Sequence, residues 1–172
     1  FTEYNHESSS QAIQDFINQT PGGVDSYYQE LSQFINKLYQ LNCHNNEKYF
    51  LDKTPRYSLI ANDLKKIFPD AKFIVLWRNP LSILSSRFHS YGNKWRIYNY
   101  KVDLFKGLNS LIDSHQQNKE NICTINYENF IKQPDKELSK IFKYLNLSTN
   151  EAYDIETGSS NLTGRMGDKT GI

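Results

Sequence analysis

An arginine follows a run of five apolar residues and precedes a segment with several serines. The run is FIVLW, Phe73 to Trp77, and Arg78 comes directly after it, followed by Asn-Pro. A guanidinium is costly to bury without a partner, whereas its planar fork of donors suits a phosphate. Pro80 favours the first turn of a helix, whose unpaired N–H groups also attract anions. The pattern predicts an anion site at Arg78, and an arginine paired to a carboxylate is the alternative.

Serines in the following helix bear on the same site. Ser82 and Ser86 are four residues apart, so they share one helix face. Apolar residues are expected on the other side: Leu81, Leu84 and Phe88. Ser86 lies roughly 9 Å from the helix start at 1.5 Å per residue. A long arginine side chain folding back along this face could meet Ser86 at one bound phosphate, and solvent-facing serines are the alternative.

A second cation follows another short apolar segment. Lys53 comes directly after KYFLD, residues 48–52, which reads as a strand. An ammonium group just past a strand end can neutralise charge that develops on a transferred group. Thr54 and Arg56 add a donor and a further cation. An ordinary surface lysine is the alternative.

The totals limit the possible functions. The chain has 172 residues, 38% of them hydrophobic, which suits one globular domain over residues 1–172. Its net charge is only +1, which gives no support to nucleic-acid binding. The two cysteines have no metal-ligand or redox spacing, and no metal site is expected. No apolar run reaches the length that spans a membrane.

Helical and strand patterns alternate along the chain. A helix is expected from Val24 to Leu41, another over PRYSLIANDLKKIF, and others after Pro80, from Tyr98 to Gln116 and over PDKELSKIFKYLNL. KFIVLW reads as a strand buried on both faces of a parallel sheet, and NICTINY as a third strand. The polar segment up to about Thr20 has no clear assignment.

This alternation predicts an α/β fold with a mainly parallel sheet between layers of helices. Ligands bind such sheets outside the carboxyl ends of the strands. Three positions therefore stand out, because each follows a predicted strand: Asp52-Lys53, Arg78 and Tyr127-Glu128.

The stretch DKTPRYSLIANDLKKIFPDAKFIVLWRNPLSILSS resembles the core of the sulfotransferases that use 3′-phosphoadenosine 5′-phosphosulfate (PAPS). INYENFIKQPDKELSKIFKYLNL is similar to a later segment of that family, and LTGRMGDKTGI to its Gly-rich loop. The resemblance covers about residues 49–172. It implies a three-layer fold of the kind found in P-loop nucleoside-triphosphate hydrolases, and transfer of a sulfonyl group from PAPS to an acceptor hydroxyl, leaving adenosine 3′,5′-bisphosphate (PAP).

The resemblance also assigns roles to residues. Arg78 and Ser86 would bind the 3′-phosphate of the cofactor, and Tyr127 would contact its adenine. Gly164 and Arg165 would close over the same phosphate. Lys53 would be catalytic, stabilising charge on the bridging oxygen as the bisphosphate leaves.

The sequence departs from the family in two ways. No Gly-rich loop with Lys or Arg is present to hold the 5′-phosphosulfate, so either the N-terminal piece is missing or the chain cannot hold the sulfonate-bearing end. The sequence also stops within the later Gly-rich loop, and truncation at both ends is therefore expected. Pro55 stands where some members have a catalytic histidine, which leaves the general base open among Glu3, His6, Glu7 and His89.

Two other functions stay open. A P-loop kinase would need a Gly-Lys-Ser/Thr loop and an acidic Mg²⁺ ligand, and neither is visible. A non-catalytic nucleotide-binding or interaction domain would keep Arg78 and Ser86 but lack the phosphosulfate loop in the full chain.

The acceptor is expected to be a small molecule or a glycan. An aromatic and basic segment follows the serine-bearing helix and could line the acceptor pocket or pack in the core: Tyr91, Lys94, Trp95, Arg96, Tyr98 and Tyr100. A cytoplasmic location is expected, with the Golgi lumen as the alternative.

Overall fold

The computed structural model describes residues 5–43, 49–92 and 96–148. The chain divides into two compact units, Phe1–Ala71 and Lys72–Ile172, and each is described by itself. Gly164 and Arg165 lie outside the described residues. The expectation of one domain over residues 1–172 stays a prediction.

The first unit is helical. Helix α1 spans His6–Gln19, α2 spans Gly23–Leu41, a 3₁₀-helix spans Pro55–Ile60, and α3 spans Ala61–Ile67. The Tyr28 hydroxyl of α2 donates a 2.8 Å hydrogen bond to Asp63 of α3 and joins these two helices. Helix α1 occupies the segment that the sequence left unassigned, and Asn5 caps it by accepting the Ser8 N–H at 2.8 Å.

A glycine turn separates the first two helices. Gly22 has φ of 81°, in the left-handed region that favours glycine. A Cβ atom added at Gly22 would lie 2.0 Å from the Ser26 Oγ. The turn predicted at TPGG is confirmed. Its backbone conformation at Gly22 requires a glycine.

The expected strand at residues 48–52 is wrong for the part that the structure describes. Residues 49–54 adopt neither helix nor strand, and Leu51 is 83% exposed. A strand needs a paired neighbour for its backbone groups, and within the described residues this segment pairs with none. The following helix was predicted as one element, whereas it begins as 3₁₀ at Pro55 and becomes α-helical at Ala61.

The second unit contains a two-stranded parallel sheet. Strand β1 spans Phe73–Trp77 and β2 spans Ile122–Asn126, with Phe73 beside Ile122 and Trp77 beside Asn126. The helices are α4, Pro80–Tyr91; α5, Leu108–Gln117; α6, Tyr127–Lys132; and α7, Pro134–Leu145. The parallel pairing of these two strands confirms that part of the predicted α/β fold.

Helices cover both faces of the sheet. His115 of α5 lies 3.0 Å from the Thr124 hydroxyl and meets the Trp77 ring edge-on at 5.7 Å. On the opposite face, α7 packs against β2, where Cys123 and Ile125 are buried. In the described part of this unit, helices therefore contact both sides of a parallel sheet, which is consistent with the predicted α/β fold.

Burial of β1 differs from the prediction. Its alternate side chains Ile74 and Leu76 are 38% and 56% exposed, although both faces were expected to be buried. The reason is that α7 lies over β2 and the described chain places no further strand beside β1. On α4, Leu81 and Phe88 are 73% and 59% exposed, and Leu84 is half-buried.

The helix expected from Tyr98 to Gln116 is not uniform. A 3₁₀-helix spans Ile97–Tyr100, and a π-helix over Val102–Gly107 leads into α5. π-helical turns are rare and concentrate at functional sites, and no sequence periodicity distinguishes them from α-helix.

Candidate nucleotide-binding site

The strand register brings Arg78 and Tyr127 together. Trp77 and Asn126 are partners at the carboxyl ends of β1 and β2, so the residues that follow them emerge side by side. The guanidinium carbon of Arg78 lies 4.2 Å from the centroid of the Tyr127 ring. At this distance the cation stacks on the aromatic face, which holds the long arginine side chain in place.

Arg78 has a donor available for a ligand. Its Nε is buried and has no hydrogen-bond partner within the described residues, and the residue is half-buried. A buried unsatisfied donor costs free energy unless a ligand or water pairs with it. An anion with several oxygen atoms is a suitable partner, so the residues present fit a phosphate group.

Glu128 fixes the backbone at this edge. Its Oε1 accepts the Asn79 N–H at 2.9 Å, which joins the carboxyl end of β1 to the start of α6. This bond, the bond to its own N–H and the nearby Arg78 charge lower the pKa of Glu128. Glu128 is therefore ionised at neutral pH and lies beside the cation. The sequence pointed to this position at a strand end but not to its partner.

The start of α4 is capped by its own residue. The Asn79 side chain accepts the Leu81 N–H at 2.9 Å, and Pro80 occupies the first helical position. Sequence reasoning missed this cap, although Asn before Pro is a helix-start signal.

Ser82 and Ser86 are half-buried on α4, whereas Ser85 is exposed. The prediction that Ser86 and not Ser85 shares a face with Ser82 is confirmed. Ser82 lies in the first turn of α4 and Ser86 near its middle.

Lys53 lies in the first unit and is exposed. The segment that carries it is held by Asp52, whose carboxylate accepts hydrogen bonds from the hydroxyls of Tyr39, Tyr57 and Thr54. Thr54, which was predicted to offer a donor beside Lys53, thus points its hydroxyl to Asp52 at 3.3 Å. Tyr39 could not be identified from the sequence, because it comes from helix α2, whereas Tyr57 lies only five residues after Asp52.

The candidate bases and the aromatic segment are only partly described. His6 and Glu7 lie exposed in the first turn of α1, and His89 is exposed on α4. Glu3, Lys94 and Trp95 lie outside the described residues. Tyr98 is 69% exposed, with the Lys101 ammonium 4.2 Å from its ring.

Within the described ranges, no group of three His, Cys, Asp or Glu side chains could hold a metal ion. In the same part of the chain, no helix is both long and apolar enough to cross a membrane.

Comparison with known proteins gives a match over most of the chain. A model of the Sulfotransferase family matches residues 5–151. A sulfotransferase of Mycobacterium tuberculosis, named for omega-hydroxy-beta-dihydromenaquinone-9 (Stf3), is 24% identical over 81% of this chain and 38% of its own length, and its Mycobacterium bovis counterpart matches equally. The nodulation protein NoeE of Sinorhizobium fredii is 24% identical over 55% of this chain and 28% of its own length.

The chain thus spans about two fifths of the length of the mycobacterial relatives. No solved structure matches it.

Proposed function

Because this chain belongs to the sulfotransferase family, we propose that it transfers a sulfonyl group from PAPS to an acceptor hydroxyl. The observation that carries the proposal is the stacked pair of Arg78 and Tyr127 at the carboxyl edge of the parallel sheet, with the Arg78 Nε buried and unpaired. The edge is where ligands of α/β sheets bind, and the donor that awaits a partner suits the 3′-phosphate.

The residues have separate roles in this proposal. Arg78 and Ser86 bind the 3′-phosphate, and the exposed part of the Tyr127 ring contacts the adenine, since Arg78 covers one of its faces. Glu128 holds the Asn79 backbone so that Arg78 enters the site from a fixed point. Gly164 and Arg165 are proposed to complete the phosphate site from the Gly-rich segment.

PAPS, when bound, supplies the activated sulfonyl group and a good leaving group. Lys53 stabilises the charge that appears on the leaving phosphate oxygen, through an ammonium that solvent can reach. A base must remove the proton of the acceptor hydroxyl, and the candidates are His6, Glu7, His89 and residues outside the described ranges, such as Glu3.

We propose a carbohydrate hydroxyl as the acceptor. The second candidate is the hydroxyl of an amphipathic alcohol, of the kind named in the mycobacterial relatives. Exposed apolar side chains in the segment after α4 favour this second candidate: Ile97, Tyr98 and Phe105 are 51%, 69% and 63% exposed. Lys101 lies against Tyr98 and would suit the polar end of such a molecule.

Titration with two nucleotides tests the proposed cofactor. Calorimetry of the 172-residue chain should show that PAP binds at least about tenfold more tightly than adenosine 5′-phosphate, because the 3′-phosphate adds a charge-assisted contact of about 1.5–3 kcal/mol. Equal affinities would contradict the assignment of Arg78 to a 3′-phosphate.

A further inference from the structure

A carboxylate beside Lys53 gathers three hydroxyl donors from two parts of the first unit. Asp52 accepts from Tyr57 at 2.5 Å and from Thr54 at 3.3 Å, both on the chain that follows Lys53. Its third donor is the Tyr39 hydroxyl, thirteen residues earlier on α2. Asp52 therefore links the segment on both sides of Lys53 to a long helix.

This linkage holds a segment that has no regular secondary structure. Residues 49–54 form no helix or strand, so regular backbone pairing does not fix them. The Tyr39 ring stacks on Phe50 with centroids 4.4 Å apart and planes 18° apart, and it also lies 6.4 Å from Phe68. One tyrosine thus contacts the segment through its ring and through its hydroxyl.

The titration of the cluster agrees with this geometry. Burial alone would raise the pKa of Asp52, but the hydrogen bonds from Tyr39, Tyr57 and Thr54 hold it below its ordinary value. Burial, followed by the hydrogen bonds with Asp52 and Tyr57, raises the pKa of Tyr39. At neutral pH the Asp52 carboxylate is charged and the Tyr39 hydroxyl is a protonated donor, which is the combination that the hydrogen bond between them requires.

A lysine that stabilises charge in a transition state needs a backbone that is held in place, and Asp52 holds the backbone next to Lys53. Such a group contributes most when it is already placed, because reorganising it during the reaction costs free energy. Lys53 itself extends to solvent, and its own side chain is not among those that the cluster holds. The cluster acts on its backbone.

We propose that Asp52 is a positioning residue, which with Tyr39 and Tyr57 fixes the backbone of Lys53 for sulfonyl transfer. This inference rests on the proposed function for the role of Lys53, whereas the anchoring of the segment does not. A carboxylate already engaged by three hydroxyls is a poor general base, so Asp52 positions and does not take the acceptor proton.

The test compares Asp52→Asn with a matched control, Asp63→Asn. Asp63 also accepts a tyrosine hydrogen bond, from Tyr28 at 2.8 Å, in the same unit but away from Lys53. The pair separates anchoring of the Lys53 segment from general loss of a Tyr–Asp bond. Tyr57→Phe, which keeps the ring and removes only the hydroxyl, is the second variant should Asp52→Asn fail to fold.

Two readouts on the 172-residue chain distinguish the inference from the proposed function. Hydrogen exchange of the Tyr57 amide, which donates to the Thr54 carbonyl at 3.1 Å, should accelerate about tenfold or more in Asp52→Asn and stay unchanged in Asp63→Asn. Acetylation of Lys53 by acetic anhydride, followed by mass spectrometry, should be slowed by PAPS in the wild type and in Asp63→Asn. In Asp52→Asn this protection should be lost.

Each result decides one claim. Unchanged exchange in Asp52→Asn overturns the inference, whatever PAPS does. Accelerated exchange with PAPS protection retained also overturns it, because Lys53 then needs no anchor. Accelerated exchange with no protection of Lys53 even in the wild type supports the anchoring and rejects the proposed role of Lys53.

Discussion

The residues at the sheet edge combine two opposite charges around one backbone segment. Arg78 stacks on Tyr127, and Glu128 accepts the amide of Asn79 next to it. The carboxylate fixes the segment, but its charge also opposes an incoming anion. Glu128 therefore has two opposing effects on anion binding, and a neutral side chain of the same shape distinguishes them.

Glu128→Gln should bind PAP about two- to threefold more tightly at low salt, because it removes a negative charge near the anion while its amide oxygen can still accept the Asn79 N–H. Calorimetry at two salt concentrations measures this, and the difference from the wild type should shrink at high salt. Weaker binding by Glu128→Gln would mean that the carboxylate assists the ligand instead.

The Asp52 cluster predicts a particular dependence of stability on pH. The pKa of Asp52 is lowered in the folded protein, so its contribution is present above the unfolded value of about 3.9 and is lost as pH falls through the folded value. Urea unfolding between pH 7 and pH 2 measures this dependence. The free energy of unfolding should fall less steeply with decreasing pH in Asp52→Asn than in the wild type. The same slope in both proteins would show that the hydrogen bonds do not favour the charged form.

At the scale of elements, β1 and β2 are joined at both ends by side chains. At their amino ends the Tyr144 hydroxyl accepts the Phe73 N–H at 3.1 Å and donates to the Asn121 carbonyl at 2.8 Å. At the carboxyl ends, the bond from Asn79 to Glu128 does the same. These contacts keep the strand ends in register, and the register brings Arg78 to Tyr127.

The sheet has its tightest packing at β2. Ile125 is 1% exposed, whereas Leu76, its neighbour on the same face of β1, is 56% exposed. Ile125→Ala should therefore lower the free energy of unfolding by about 2–5 kcal/mol, and Leu76→Ala by less than about 1 kcal/mol. Denaturant titration measures both. Equal losses would show that the exposed face of β1 is covered in solution.

The sequence predicted helices and strands accurately where the pattern of apolar residues is strong. Helix α2 and both strands of the sheet were placed to within one or two residues, because FIVLW and ICTIN are continuous β-forming runs. The segment 48–52 has a similar composition, but whether a strand forms depends on a neighbour that local pattern cannot supply. Helix α1 was left unassigned because its large apolar residues, Ile13, Phe16 and Ile17, are confined to its second half, although their spacing is helical.

The sequence located site residues only where they follow a correctly predicted strand. Arg78 and Tyr127 follow apolar strands, so the sheet rule located both and the structure brings them together. The anchors of Lys53 were not predictable, because Tyr39 reaches Asp52 through tertiary packing. Spacing alone placed Ser86 on the same helix face as Ser82, and the role of Ser86 stays a prediction.

At the scale of the whole molecule, the net charge of +1 leaves no general attraction for anions. Binding of a bisphosphate must therefore depend on a few placed groups. Arg78 and Tyr127 belong to the second unit and Lys53 to the first. Substitutions at Arg78 or Tyr127 test the affinity for the cofactor, and substitutions at Lys53 test the transfer step.

The preference for a 3′-phosphate in an arginine variant tests the central claim most directly. Arg78→Ala is compared with Arg87→Ala, which removes an arginine on α4 that faces the Tyr100 ring at 5.7 Å. Calorimetric titration with PAP and adenosine 5′-phosphate should show that Arg78→Ala loses about tenfold or more of the PAP affinity and most of the preference, whereas Arg87→Ala keeps both. An Arg78→Ala protein that still prefers PAP as strongly as the wild type would contradict the account.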